Sequence, residues 1–218
     1  MNKFSDLVQK ETCTIMDSIY NHPFIKELAT GCLKSELFMY YIEQDSYYLV
    51  EFSRCLSMIA SRCDLGDVKS FLSFAEEALI GEIEPIHNSF RNEEHINRDV
   101  ISPANLFYTS YLRSVCSTES VSIGIAAVLP CFLIYRDVGN FIATNRIHDN
   151  PYNQWIDSYA GTYFSESVDK IVHIFDQYAS KESDSTRKKM LTAFVRSSTL
   201  EFYFWDDAYH LREFGNFE

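Results

Sequence analysis

The sequence predicts an all-α fold built as a single domain over residues 1–218, and three observations carry that expectation. Apolar side chains recur at three- and four-residue spacing along nearly the whole chain, the period of a helix with one buried face. No window of several residues keeps the strict apolar–polar alternation of a half-buried strand. Gly (7) and Pro (5) are scarce, so the turn signals a β architecture needs are few, whereas Phe (17) and Tyr (14) supply large rings for a helical core and aromatic surfaces for a planar ligand.

The elements follow in order. A helix is expected from Phe4 to Tyr20, broken at His22-Pro23 because proline fits a helix start and disfavours helical backbone before it. A short piece to Thr30, punctuated by Gly31, precedes a long helix from Ser35 to Arg62. Another runs from Asp67 to Arg91, bent near Pro85, and the polar stretch Asn92 to Pro103, which has no apolar period, reads as a surface loop. Pro103 opens a helix to Cys116, and Ser120 caps one to Ala143. Ile147 to Pro151 reads as a turn, followed by two shorter helices divided near Gly161, a connector at Lys181 to Ser185, and a long amphipathic rod from Thr186 to Leu211.

Charge and cysteine usage narrow the function. Asp plus Glu (31) exceed Lys plus Arg (19), a net charge of -12, and no basic stripe of the kind a phosphate backbone requires is visible, so nucleic acid is not an expected partner. Six cysteines contain no CxxC pair, and Met1 to Tyr20 is amphipathic and acidic rather than signal-like, which points to reduced thiols and a cytoplasmic location. The uncharged apolar run Val121 to Tyr135 falls short of the roughly 20 residues of a membrane span. It holds Gly124 and Pro130 and reads as a buried core helix.

Three polar residues stand out against apolar stripes. In the second long helix Phe38, Tyr41, Ile42, Tyr48, Leu49, Phe52, Leu56 and Ile59 keep helical spacing with Asp45 in their midst, so its carboxylate points inward. An unpartnered buried carboxylate costs several kcal/mol, roughly, or takes up a proton; the core must supply a donor or a ligand, and a structural Asp capped by a neighbouring hydroxyl is the alternative. In the last helix Glu201 sits among Leu191, Phe194, Ser198, Phe202, Trp205 and Tyr209, where burial raises a carboxyl pKa toward the range useful for proton transfer; the plainer reading is a helix-edge Glu with an exposed tip. Cys131 follows Pro130 in the most apolar helix, where the missing amide hydrogen frees a carbonyl and favours a kink that opens a pocket. A buried cysteine with no activating partner nearby in sequence is otherwise an inert small hydrophobe.

Glu84 and His87, three residues apart, have half the spacing of a carboxylate-bridged di-iron site in a helical bundle, and Asp207 to His210 is a poor second half; no metal is expected. His22, His95, His148 and His173 lack ligand companions and suit capping or surface roles. There is no glycine-rich phosphate loop, GxSxG elbow or HExxH motif.

Several segments taken together, His22-Pro23-Phe24, Gln44 to Leu49, Tyr108 to Tyr111, Leu129-Pro130-Cys131 with Tyr135, Tyr152 to Tyr159 and Glu201 to Asp206, make the chain resemble the TenA/thiaminase II family, across nearly its whole length. The resemblance implies a haem oxygenase-like helical bundle, a homotetramer, and cysteine-dependent hydrolysis of 4-amino-5-aminomethyl-2-methylpyrimidine to its 5-hydroxymethyl analogue and ammonia, with thiamin cleavage as a second activity and no cofactor. It implies Cys131 as nucleophile, Glu201 as proton-transferring acid and Asp45 as anchor of the pyrimidine, with Tyr48, Tyr108, Tyr135, Tyr159 and Phe204 around the ring. Leu133 departs from the pattern, many members having Trp there, and is expected to reshape the pocket. Two rival classes are a metal-dependent or cofactorless oxidase on the same scaffold and a non-catalytic interaction protein. The latter requires Cys131 packed without a cavity.

Overall fold

In the computed structural model, which describes residues 3–80 and 100–214, every regular element among the described residues is helical. The elements are α1 (Phe4–Glu11), α2 (Cys13–Asn21), α3 (Pro23–Ala29), α4 (Ser35–Ala60), α5 (Val68–Glu76), α6 (Pro103–Thr118), α7 (Val121–Asn145), α8 (Asn153–Tyr159), α9 (Thr162–Lys181) and α10 (Asp184–His210). The expected bends at Pro85 and the loop from Asn92 to residue 99 lie outside the described residues.

Local chemistry explains the boundaries. His22 caps α3, its Nδ1 accepting from the Phe24 amide at 3.2 Å, and Pro23 occupies the first helical position, where a missing N–H costs nothing. Ser102 Oγ caps α6 by accepting from the Asn105 amide at 3.1 Å, again with proline next. Ser120 stands at the start of α7 as expected, yet its hydroxyl makes no capping bond. The single helix expected from Phe4 to Tyr20 is instead two. Thr12, at φ −108° and ψ 8°, turns its hydroxyl back onto the Val8 and Gln9 carbonyls at 2.9 and 3.2 Å, competing with the helix ladder at that point. The helix after Gly161 runs for 20 residues, Thr162–Lys181, between the expected division and the expected connector.

The 25-residue α7 is the axis of the bundle; it packs most extensively on α10 and is also flanked by α6, α8 and α9. It is long and apolar enough to cross a membrane, but 78% of its most apolar window is covered by the neighbouring helices, so here it serves as a core helix. One hydrophobic cluster runs continuously from Val8 on α1 to Ala208 on α10.

The crossing of α7 and α8 depends on Gly139. A Cβ there would come within 2.7 Å of Tyr159 Cβ and 2.9 Å of the Tyr159 carbonyl carbon, contacts that no rotamer change relieves because both atoms belong to or adjoin the backbone of α8. Gly139→Ala is therefore expected to destabilise the fold by about 1–3 kcal/mol through overpacking, despite alanine's better helix propensity. Thermal unfolding measures this, and an unchanged or raised midpoint would contradict the close packing of the two helices.

Candidate active site

Asp45 and Cys131 reach the same cavity from different helices. The space, about 350 Å³, lies among α4, α5, α7 and the α8–α9 junction. Asp45, Leu49 and Phe52 line it from α4, Cys131, Phe132 and Tyr135 from α7, Phe74 from α5, and Tyr159 and Phe164 from the junction. Its volume is at the small end of the roughly 300–1,000 Å³ typical of small-molecule sites. A planar ring would meet mostly aromatic and aliphatic surface there, with a carboxylate and a thiol at the buried end.

Asp45 is 1% exposed, and the Tyr41 hydroxyl donates to its Oδ2 at 3.3 Å. The same Tyr41 oxygen lies 3.1 Å from the Tyr135 hydroxyl, so a buried phenol links the α4 carboxylate to the α7 phenol. Tyr41 is stacked on Trp205 at 4.9 Å with an interplanar angle of 11°, which fixes the ring and hence the hydroxyl. Tyr135 in turn packs on Tyr159 at 4.9 Å and on Trp205 at 5.4 Å.

Glu201 is buried to the same degree, 1% exposed, so the helix-edge reading with a solvated tip fails. The Tyr108 hydroxyl donates to its Oε1 at 2.9 Å. Burial raises the Glu201 pKa from 4.5 to about 8; the Asp45 charge pushes the same way, and the Tyr108 hydrogen bond, which favours the anion, opposes them. Among the described residues around it, then, sits an acid that keeps its proton through most of the neutral range. Burial also holds the Tyr48, Tyr108 and Tyr135 phenols well above their ordinary values. Proximity of Cys131 and Glu201 adds to the effect at Tyr48 and Tyr108, and that of Asp45 and Glu201 at Tyr135, so these groups stay neutral hydrogen-bond donors.

The residues singled out from sequence therefore fall into two groups. Asp45, Cys131, Tyr135 and Tyr159 line the cavity, while Glu201, Tyr48, Tyr108 and Phe204 are buried and are not among its lining residues. Tyr48 contacts Tyr108 at 5.0 Å and Phe204 at 5.7 Å between ring centroids, joining these rings into one aromatic block. Cys131 is 9% exposed and part of the wall, not packed away from any cavity as a purely non-catalytic reading requires. Leu133 corrects an expectation. It lines a separate recess with Met16, Tyr20 and Phe194 on the opposite face of α7, since two residues along a helix rotate a side chain about 200° away from Cys131. It is not among the residues that line the cavity.

Tyr41 is the residue that sequence reading missed. Its stripe spacing marks it only as core, and the approach of Tyr135 from α7 is what gives its hydroxyl a second partner. No group of three or more His, Cys, Asp or Glu gathers at metal-binding distances among the described residues; Glu84 and His87 lie outside them.

Residues 10–211 match the TENA/THI-4/PQQC family, that is, nearly the whole chain. The chain belongs to this family. Its similarity to the aminopyrimidine aminohydrolase of Bacillus subtilis is 33% identity over 95% of this chain and 90% of that protein. A TenA homologue from Pyrococcus furiosus superposes with a TM-score of 0.85 at 22% identity, covering 94% of this chain and 99% of that one. A domain from Shewanella denitrificans described as having a haem oxygenase-like fold matches with a TM-score of 0.69 at 13% identity over 97% of this chain and 94% of its own. The fold is accordingly the all-α, haem oxygenase-like bundle expected of the family.

Proposed function

We propose that this protein is an aminopyrimidine aminohydrolase, converting 4-amino-5-aminomethyl-2-methylpyrimidine and water to the 5-hydroxymethyl pyrimidine and ammonia, with thiamin cleavage as a second activity. The observation that carries the reading is the convergence of Asp45 and Cys131 on one small, aromatic-walled cavity, with the buried, protonated Glu201 close enough to Asp45 to feel its charge. Similarity to a curated aminohydrolase over 95% of the chain supports it.

In this reading Asp45 accepts from the exocyclic amine of the ring. The Cys131 thiolate adds to the ring carbon beside the aminomethyl branch, and the electron pair placed on the ring expels the amine, which leaves with a proton as ammonia. Water adds to the exposed methylene carbon, losing a proton, and the C–S bond then breaks to restore the aromatic ring and the thiolate. Glu201 gives a proton to a ring nitrogen as negative charge builds there and recovers it as the ring is restored. Tyr108 holds Glu201, and Tyr41 with Tyr135 holds Asp45. The test is ammonia release from the aminomethyl pyrimidine by metal-chelated protein, with thiamin as a competing substrate. Steady turnover is expected; a folded protein inert on both compounds would defeat the proposal.

Two coarser features belong to the same reading. A homotetramer is supported by the exposed apolar recess between α6 and α10, lined by Phe107, Tyr111, Leu200 and Tyr203. A cytoplasmic location fits the free state of all six cysteines, among them the exposed Cys13 and Cys32.

A further inference from the structure

The outer part of the Cys131 cavity holds a carboxylate, Glu77, that no ion pair among the described residues accounts for. Glu77 closes α5, where the chain widens into a π-type turn over residues 77–80, and is half-buried in the cavity wall. Ser73 Oγ donates to its Oε1 at 3.0 Å and Ser167 Oγ, on α9, to its Oε2 at 2.9 Å. The Tyr163 hydroxyl also bonds to Glu77, whose charge pushes that phenol above its ordinary value. Three hydroxyls from two sides thus fix the orientation of one carboxylate, and among the described residues no Lys, Arg or His pairs with it.

The remaining acids of the cavity differ from it. Asp157 is exposed and ion-paired with Arg146 at 2.6 Å, and Asp45 occupies the deeply buried end under Tyr41. The wall contributes no basic side chain among the described residues, and most of its lining is apolar or aromatic. A carboxylate held by hydroxyls, facing a largely apolar space and with no counter-charge among the described residues, favours a cationic occupant. Exposure gives the cavity a direction as well, since Tyr163, beside Glu77, is 70% exposed while Asp45 is 1% exposed.

We propose that Glu77 is a specificity-determining residue that binds the cationic departing group of the substrate at the cavity mouth, while Asp45 holds the ring at the closed end. The assignment rests on the aminopyrimidine reading and adds the basis of its selectivity. An aminomethyl group is an ammonium at neutral pH and a thiazolium is permanently charged, whereas the hydroxymethyl product is neutral. Glu77 therefore favours substrate over product, and the bond to be broken is placed between the two carboxylates.

The experiment compares the wild-type chain with Glu77→Gln and Glu77→Asp in steady-state ammonia release from 4-amino-5-aminomethyl-2-methylpyrimidine, together with inhibition by the neutral 5-hydroxymethyl product. Glu77→Gln is expected to raise KM about tenfold to a hundredfold, the range of a hydrogen bond to a charged group, with kcat changed less than about threefold and the product Ki unchanged. Glu77→Asp, which keeps the charge, is expected to recover part of the KM. Ser167→Ala leaves the carboxylate but removes one of its donors, and an increase in KM of about two- to fivefold with unchanged Ki is expected even if Glu77→Gln folds poorly. An unchanged KM, or KM and Ki rising together in these variants, would overturn the assignment while leaving the aminohydrolase reading intact. Absence of wild-type turnover would instead defeat that underlying reading, and the assignment with it.

Discussion

Replacing Cys131 with serine is expected to lower ammonia release by about 10³-fold or more, while the fold and the affinity for the neutral product change little. The substitution exchanges sulfur for oxygen in a side chain of nearly the same shape, and Cys131 lies at the cavity surface at 9% exposure, so little packing is disturbed. What changes is nucleophilicity. A thiol forms its anion within reach of neutral pH, but a serine hydroxyl needs a general base to attack, and no histidine lines the cavity among the described residues. The ordinary alternative, in which Cys131 is an inert core thiol, makes a different forecast: turnover near wild type and a stability loss of about 1 kcal/mol. Parallel ammonia-release and calorimetric measurements separate the two, and a mutant retaining a tenth of the wild-type rate would exclude Cys131 as the nucleophile. Serine at the exposed Cys13 or Cys32 is the control, since neither lies in the cavity.

The helices were legible in the sequence wherever one face is apolar over several turns. The stripe through Phe38, Tyr41, Ile42 and Leu49 gives α4 to within two residues of its observed end and turns Asp45 inward, and the stripe through Phe194 and Trp205 does the same for Glu201 on α10. Periodicity shows that a polar side chain faces the core; it is silent on what meets it there. Tyr41 illustrates the limit, because its hydroxyl bridges Asp45 to a phenol 94 residues away and only the packing of α4 against α7 creates that bond. Glu77 is a second case. Just past the end of α5, nothing in its spacing marks it, and its hydroxyl cradle appears only when Ser167 arrives on α9. Leu133 fails in the opposite direction, since nearness to Cys131 in sequence suggested a shared pocket that helical rotation rules out. The break at Thr12 was missed because apolar spacing continues through it; the interruption comes from one hydroxyl competing for two carbonyls.

Glu201→Gln is expected to lower kcat by about 10²- to 10⁴-fold and to remove a pH dependence centred near 8. The folded chain holds this carboxyl at about 8 against 4.5 when solvated, with burial as the largest cause. Between those values the folded state binds a proton that the unfolded state has released, so stability from this group is greatest below 4.5 and declines as pH rises through 8. The proton-donating form follows the same curve, and wild-type kcat should therefore fall as pH rises through 8. Glutamine preserves the volume and one acceptor for the Tyr108 hydroxyl but has no proton to give and no charge to bury. The variant's residual rate should then be flat across that limb, and its thermal midpoint should decline less than wild type's between pH 5 and pH 8, roughly the interval over which the native carboxyl alone keeps its proton. Persistence of the limb in Glu201→Gln would assign it to another group, and equal stability slopes would mean that the buried carboxyl is ionised at neutral pH. Either result would leave Glu201 as a partner that orients Tyr108 and remove it as the acid, because a carboxylate already charged beside the ring would oppose the negative charge that thiolate addition creates there.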